Sequence, residues 1–299
     1  FVGSHVVEAL LPSAKVVVVD NYSGSYSSDD NLAGVRHHKN LSLQKADITD
    51  ATALAAVFQQ HKPDKVIHLA AATGVRSSIE RPDYYAKVNV LGTACVLQLA
   101  AKHGVRQFVF GSSSSVYGNS EVPFTESAAT DKPLSPYAAT KKAGELLCHA
   151  YHSLYGMPTT CLRFFTVYGE RGRPDMAVYK FTKNIAAKKP VQVFGEGTSR
   201  DYTYVADIVE GVRLALQKPL PFDIINLGNA SPVDLAALID LIQEEVGQAA
   251  ILDRQPMQKG DVQETYADIS RAEQLLGWKP KVSIQQGIAR FVRWFRHEH

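Results

Sequence analysis

Two short runs of side chains carry the chemistry available to this sequence. Tyr137 and Lys141 are four residues apart, so on a helix they share a face, where an ammonium can lower a phenol's pKa until the phenol serves as a general base. The bare spacing is weak evidence: 13 tyrosines make about one such pair by chance, and Tyr179 with Lys183 is a second instance. Context separates the two. Tyr137 follows Ser135-Pro136, a helix-start signature, and lies one loop after Gly111-Ser112-Ser113-Ser114-Ser115 at the end of an apolar run, where open parallel sheets place ligands. Tyr179 lacks that setting and reads as a packing or surface residue. Serines after a strand ordinarily satisfy loop backbone, a reading that stays open for Ser112. Four in succession also supply hydroxyls that can relay a proton to Tyr137 or hold polar groups of a substrate.

Such groups need a rigid sheet edge to hold them, and the first half of the chain is patterned for one. Short apolar runs alternate with amphipathic stretches, as when helices cover both faces of a parallel sheet. Strands are expected at 15–20, 65–70, 107–111 and 159–165, and helices at 4–11, 51–60, 82–103 and 137–155. Val16 to Val19 form an unbroken apolar run, the pattern of a strand covered on both faces. After Phe165 the composition shifts to Gly, Pro, Arg and Lys through Gly169–Pro174, a loop signature at which a second lobe is expected to begin. That lobe would carry helices near 176–188, 205–217, 232–246 and 284–297 and short strands near 191–194 and 223–226.

The N-terminal residues bear on what the sheet edge binds. Phe1-Val2-Gly3-Ser4-His5 has the form of the end of a glycine-rich strand-to-helix turn, whose third glycine permits close helix packing while the helix N-terminus faces a pyrophosphate. Asp20 ends the valine strand one helix later, where a carboxylate can accept from both hydroxyls of an adenosine ribose and repel a 2′-phosphate; this favours NAD over NADP, although Asp is also a common turn starter. Asp47, in Ala46-Asp47-Ile48 before a helix, either caps that helix or reaches the adenine amine. The preceding strand and its first two glycines are not in the sequence. In such a fold that strand is central, so a gap in the sheet is expected, with a true start upstream of Phe1; NAD affinity and stability both depend on it.

Composition narrows the remaining classes. With 32 Lys and Arg against 30 Asp and Glu, the net charge of +2 gives no basic field for nucleic acid or an anionic membrane, and a small specific partner is expected. Cys95, Cys148 and Cys161 are too scattered for a disulfide framework or a metal site, which fits a reducing cytoplasm. No stretch approaches the roughly 20 apolar residues of a membrane helix.

Taken together, the motifs resemble those of the extended short-chain dehydrogenase/reductases, and within them the nucleotide-sugar 4-epimerases. The resemblance spans the chain: Phe1–His5, His68-Leu69-Ala70-Ala71, Asn89–Thr93, Ser113–Gly118, Ser135–Lys141, Leu162–Gly169 and Ser199–Val205. Gly172–Ala177 and Pro256–Val262 look most like UDP-glucuronate 4-epimerases. The fold implied is α/β, a doubly wound parallel (Rossmann) sheet lacking its first strand, with a smaller C-terminal substrate-binding lobe. It divides into an NAD-binding domain over 1–168 and a mainly UDP-sugar lobe over 169–299, with a segment near 200–228 returning to the first domain.

The activity implied is interconversion of UDP-glucuronate and UDP-galacturonate through a 4-keto sugar, without decarboxylation, with hydride passing to NAD and returning to the opposite face. Tyr137 is then the general base, Lys141 grips the nicotinamide ribose and tunes the phenol, and Ser113 relays the proton. The resemblance builds the NAD site from Gly3, Asp20, Asn21, Asp47, Ile48 and Leu69, together with Ala70, Ala71, Asn89, Ser112, Tyr137, Lys141 and Phe164. Substrate contacts fall to Ser113 and Arg76, to Ser114, Ser115 and Thr166 on the sugar carboxylate with Arg173 supplying charge nearby, to Arg200 on the diphosphate, and to backbone around Val193 and Phe194 on the uracil with Ala177 and Val178 nearby. Gln258 and Asp261 are assigned by position. Arg173 is equally readable as a solvated loop arginine. Relatives that dehydrate or decarboxylate carry acids after the relay residue; here Ser114 and Ser115 stand there, and dehydration lacks its general acid. A UDP-galactose or UDP-N-acetylhexosamine 4-epimerase and a non-catalytic nucleotide-binding protein remain the alternatives, and a homodimer through helices 82–103 and 137–155 is implied.

Overall fold

The computed structural model describes residues 1–23 and 30–298. Its strands are β1 (Val16–Asp20), β2 (Leu41–Lys45), β3 (Lys65–His68), β4 (Gln107–Ser113), β5 (Thr159–Phe164), β6 (Thr166–Tyr168), β7 (Pro190–Phe194), β8 (Ser199–Tyr204), β9 (Phe222–Leu227), β10 (Pro232–Asp234) and β11 (Ile251–Gln255). The helices are α1 (Val2–Leu10), α2 (Ala51–His61), α3 (Val75–Glu80), α4 (Pro82–Tyr85), α5 (Gly92–Lys102), α6 (Pro136–Tyr155), α7 (Ala177–Ala186), α8 (Val205–Gln217), α9 (Leu235–Val246), α10 (Ser270–Leu276) and α11 (Ile284–Glu298).

The main sheet is parallel and in two hydrogen-bonded groups, β2-β1 and β3-β4-β5-β9, with no ladder joining β1 to β3 among the described residues. The split lies beside the valine strand, where the gap is expected. Burial follows it: β1 is half-buried along its length, whereas every residue of β4 is buried. β9 extends this sheet from a stretch of sequence late in the chain, pairing Asn226 with Arg163. The remaining strands form a three-stranded sheet, β10-β8-β6, and a parallel pair, β11-β7.

Local chemistry sets the element that matters most. Ser135 accepts the Ala138 N–H at 3.2 Å, Pro136 occupies the first turn, and Gly156 ends α6 in the left-handed conformation. The expected helix over 82–103 is helical throughout but irregular, with a π-helical turn at Ala86–Leu91 between α4 and α5. The expected helix over 232–246 starts three residues late, because residues 232–234 pair with β8 as an edge strand, a place that tolerates proline's missing N–H. No helix of the described residues is long and apolar enough to cross a membrane.

Candidate active site

The C-terminal end of β4 delivers the serines. Ser113 is the last residue of the strand and caps the 3₁₀ turn Ser114–Tyr117 that follows; its Oγ accepts the Ser115 N–H at 3.2 Å and donates to Ser115 Oγ at 3.2 Å. α6 faces this turn. Tyr137 lies in its first turn, and burial raises its phenol above the ordinary tyrosine range, an effect opposed first by a hydrogen bond with Ser113 and then by the field of Arg173. Tyr85 meets the Tyr137 ring edge-on at 6.3 Å and donates its hydroxyl to Thr73 O at 2.7 Å. Ser113 and Arg173 thus both bear on the Tyr137 phenol.

Lys141, one turn further along α6, is buried and donates to Gly111 O at 2.7 Å; burial brings its ammonium down to about 8. Its Nζ is 6.0 Å from the Tyr137 ring centroid, so in this arrangement it touches the strand backbone and not the phenol. Gly144 lets the helix meet the strand closely, and Gly111 lets Leu69 and Phe164 close on β4 from either side. A Cβ on Gly144 would lie 2.3 Å from Phe110 Cζ, and one on Gly111 would lie 2.8 Å from Leu69 Cδ2 and 3.3 Å from the Phe164 ring.

Around this seam lie the other residues assigned to a dinucleotide. Asn89, in the π-helical turn, clasps Ala72 by both backbone groups (2.7 and 3.0 Å) and donates to Thr140 at 2.9 Å, tying that turn to the loop after β3 and to α6. His68 is buried and held neutral, its pKa down to about 3; since Thr93 donates to Asn89 O, the His68 Nε2–H donates to Thr93 Oγ1. At the far edge Asp20 accepts the Tyr22 N–H, and Asn21 donates to Asp47 at 2.7 Å. The role left open for Asp47 narrows: Asp50 is the cap of α2, accepting from Thr52 and Ala53, whereas Asp47 accepts the N–H and hydroxyl of Thr49, which lower its pKa. A Cβ on Gly3 would meet nothing within 4 Å, so the close packing expected of that glycine is not made among the described residues.

The residues assigned to a substrate by resemblance come mainly from the later elements. Thr166, Arg173, Ala177 and Val178 line a narrow cleft together with Tyr168 and Tyr202, with room inside for about 20 Å³. Val178 and Val193 are 4% and 7% exposed and belong to the main hydrophobic core, which leaves their backbone, not their side chains, available to a ligand. Arg173 is forked onto Asp175 and donates to Thr73 at 2.6 Å. Arg76 spans the lobes, pairing with Asp261 at 3.1 Å and lying 4.8 Å over the Phe194 ring, while Gly260 beside Gln258 and Asp261 packs on Val75 of α3. Arg200 donates only to the carbonyls of Ser199 and Gln263, and burial lowers its pKa. Among the described residues it makes no direct ion pair, although the Asp261 carboxylate is near enough for its charge to oppose that lowering. Tyr179, in contrast, packs on Phe291 and Phe295 of α11.

A dinucleotide fits this edge. The Asp20 carboxylate at the end of β1 and the buried Lys141 ammonium at the end of β4 occupy the C-terminal edge of parallel strands, where an adenosine ribose and a nicotinamide ribose are held.

The comparisons with known proteins decide the kinship. The family model described as GDP-mannose 4,6 dehydratase matches residues 1–291. The chain belongs to that family. It is 42% identical over 300 residues to the UDP-glucuronate 4-epimerase of Thermodesulfobacterium geofontis, covering 98% of this chain and 93% of that protein. Among solved structures it resembles the UDP-glucuronic acid 4-epimerase of Bacillus cereus in complex with UDP-glucuronic acid and NAD, at TM-score 0.94 and 33% identity, covering 100% of this chain and 97% of that one. The UDP-glucose 4-epimerase of Thermotoga maritima with UDP-glucose matches at TM-score 0.92 and 32% identity over 100% of this chain and 96% of that one. The family and the α/β fold are those implied by the motifs. Sequence reasoning missed Tyr85, Thr73, Glu145 and Asp175; only Glu145 had a visible signal, since it continues the four-residue spacing of Tyr137 and Lys141.

Proposed function

We propose that the chain is an isomerase that converts UDP-glucuronate to UDP-galacturonate by NAD-dependent epimerisation at C4, without decarboxylation. The observation that carries this reading is the Ser113-capped turn at the end of β4, tied by the Lys141 bond to Gly111 O to the helix that bears Tyr137, with serines at 114 and 115 where an acid would promote dehydration. The 1–168 part holds the dinucleotide and the 169–299 part mainly the UDP-sugar, with 200–228 returning to the first. Asp20, Asn21, Asp47 and Asn89 would hold the dinucleotide, and Lys141 would move from Gly111 O to its ribose. When bound, NAD supplies the hydride acceptor and donor at C4. Tyr137 takes the proton from the C4 hydroxyl and returns it, with Ser113 as relay. Arg200 meets the diphosphate. Ser114, Ser115, Thr166 and Arg173 hold the sugar carboxylate, which matters because a 4-keto sugar with a C5 carboxylate is a β-keto acid that loses carbon dioxide when the scissile bond aligns with the carbonyl. The enzyme is cytoplasmic and homodimeric, with Leu91 beside α5 and Leu146 and Leu154 of α6, all exposed, at the two-fold contact.

One observation favours the neutral UDP-hexose reading: Asp175 already balances the charge of Arg173. Proton NMR of the protein with added NAD and UDP-glucuronate separates the cases. Signals of UDP-galacturonate are expected. A pentose product means decarboxylation, turnover of UDP-galactose alone selects the hexose enzyme, and NAD binding with no turnover of any UDP-sugar selects a non-catalytic nucleotide-binding protein.

A further inference from the structure

One charged pair near the reacting groups has no place in that mechanism. Glu145 and Arg163 are each 1% exposed, and their side chains meet as a fork, Nε to Oε1 and Nη2 to Oε2, both at 2.8 Å. A buried ion pair of this kind adds little net stability over an apolar pair of equal size, so stability alone does not account for it. What it adds is directional connection. Glu145 lies one helical turn beyond Lys141 and also accepts the Ser112 hydroxyl at 2.7 Å, immediately before Ser113. Arg163, on β5, lies 4.7 Å over the ring of Tyr117, whose hydroxyl donates to Asn226 of β9 at 2.7 Å. Ser112 and Tyr117 flank the turn that carries Ser113, Ser114 and Ser115. The two partners therefore grip the serine turn from both ends and fasten it to the helix that bears Tyr137 and Lys141.

We infer that Glu145 and Arg163 are positioning residues: a clamp that fixes the 112–117 serine turn in register with the Tyr137 face of α6. An apolar pair could fill the same space but could not hold that register. A misplacement of about 1 Å between reacting groups costs on the order of 10²-fold in rate. The clamp acts in the chemical step and rests on the assignment of Tyr137 and Ser113 made above.

The test uses two variants of the full chain that leave no unpaired buried carboxylate. In Glu145→Met/Arg163→Met both charges are gone, and in Arg163→Lys the charge remains but the fork is lost. Both are measured for kcat and KM with UDP-glucuronate and NAD and, independently of turnover, for hydrogen exchange at the Ser115 and Gly118 amides, which bond within the turn to Ser113 Oγ and Ser115 O. The expected result is a kcat lower by about 10²-fold in the double variant and about 10-fold in Arg163→Lys, with KM within about threefold and faster exchange confined to the turn. If the double variant does not fold, Arg163→Lys alone carries the same comparison. A folded variant with kcat within threefold of the parent overturns the clamp, as does a parallel loss in KM and exchange across all of α6, which would mark general loosening. Tyr137→Phe run alongside separates the two ideas: if it keeps normal turnover, the assignment of the site fails, whereas its loss beside normal clamp variants fails the clamp alone.

Discussion

The seam between α6 and the main sheet and the cleft wall of the second lobe both carry charge, and they carry it differently. In the seam Lys141, Glu145 and Arg163 are at most 5% exposed, each held by short bonds from a helix or a strand, with glycine at 144 pressing helix onto sheet. In the wall the ion pairs lie nearer the surface: Arg76 of α3 and Asp261 are 50% and 24% exposed, and Asp175 is 60% exposed beside Arg173, itself 18% exposed. Exposed pairs of that kind contribute about 0–1 kcal/mol each and exchange partners readily. The chemical step needs placement within a fraction of an ångström, which packed elements give, whereas a charged ligand that must enter and leave needs ion pairs that can be traded. Under the proposed function the seam would govern kcat and the wall substrate choice. Tyr137→Phe should break the seam with the largest effect: kcat falls by roughly 10³-fold or more while KM changes little, since the phenol's proton transfer belongs to the chemical step. A variant with near-normal kcat in steady-state assays would reject the assignment.

The wall should answer differently. Arg173→Ala removes the cation that reaches both Thr73 and the field of Tyr137. The expected outcome is a fall in kcat/KM for UDP-glucuronate of about 10- to 100-fold, with UDP-galactose changed by less than about threefold. Equal losses on the two substrates would place Arg173 in the seam and erase the distinction. Because Asp175 competes for the same guanidinium, the uronate effect should also weaken as ionic strength rises.

The two regions were unequally legible in the sequence. Strands covered on both faces announce themselves as apolar runs, so β1 and β4 could be read from Val16–Val19 and Phe108–Phe110, β5 from Cys161–Phe164 with Arg163 as its one charged interruption, and α6 from its Ser-Pro start. β2, with its polar alternation in Leu-Ser-Leu-Gln-Lys, and the short edge strands β6 and β10 carry too few residues to set a period against the loops around them. Tyr137, Lys141 and Ser113 were readable because one helix and one strand end fix them. Asp175 on Arg173 lies within one irregular loop with no period to mark it, and Arg173 on Thr73 and Asp261 on Arg76 join residues far apart in the chain, which no local spacing encodes.

The smallest expected shift is one of stability, not of rate, and it is the most informative about how the seam is built. Lys141 is buried as a cation against a single backbone carbonyl, and its pKa falls from 10.5 to about 8. Below pH 8 both folded and unfolded chains hold that proton, and the folded state bears the whole cost of burying the charge. Between pH 8 and 10.5 the unfolded chain binds more protons than the folded one, so stability from this group rises with pH until the cost is gone. Lys141→Met should therefore abolish turnover yet stabilise the fold at pH 7, by on the order of 3 kcal/mol less the lost bond to Gly111 O. Thermal unfolding read at pH 7 should show a Tm several degrees above the parent, and the advantage should shrink steadily as the scans move from pH 8 toward 10.5. A Tm that drops at every pH would mean that the ammonium holds helix to strand more than it strains them. The seam would then owe its rigidity to Lys141 itself, and the clamp at Glu145 and Arg163 would be secondary to it.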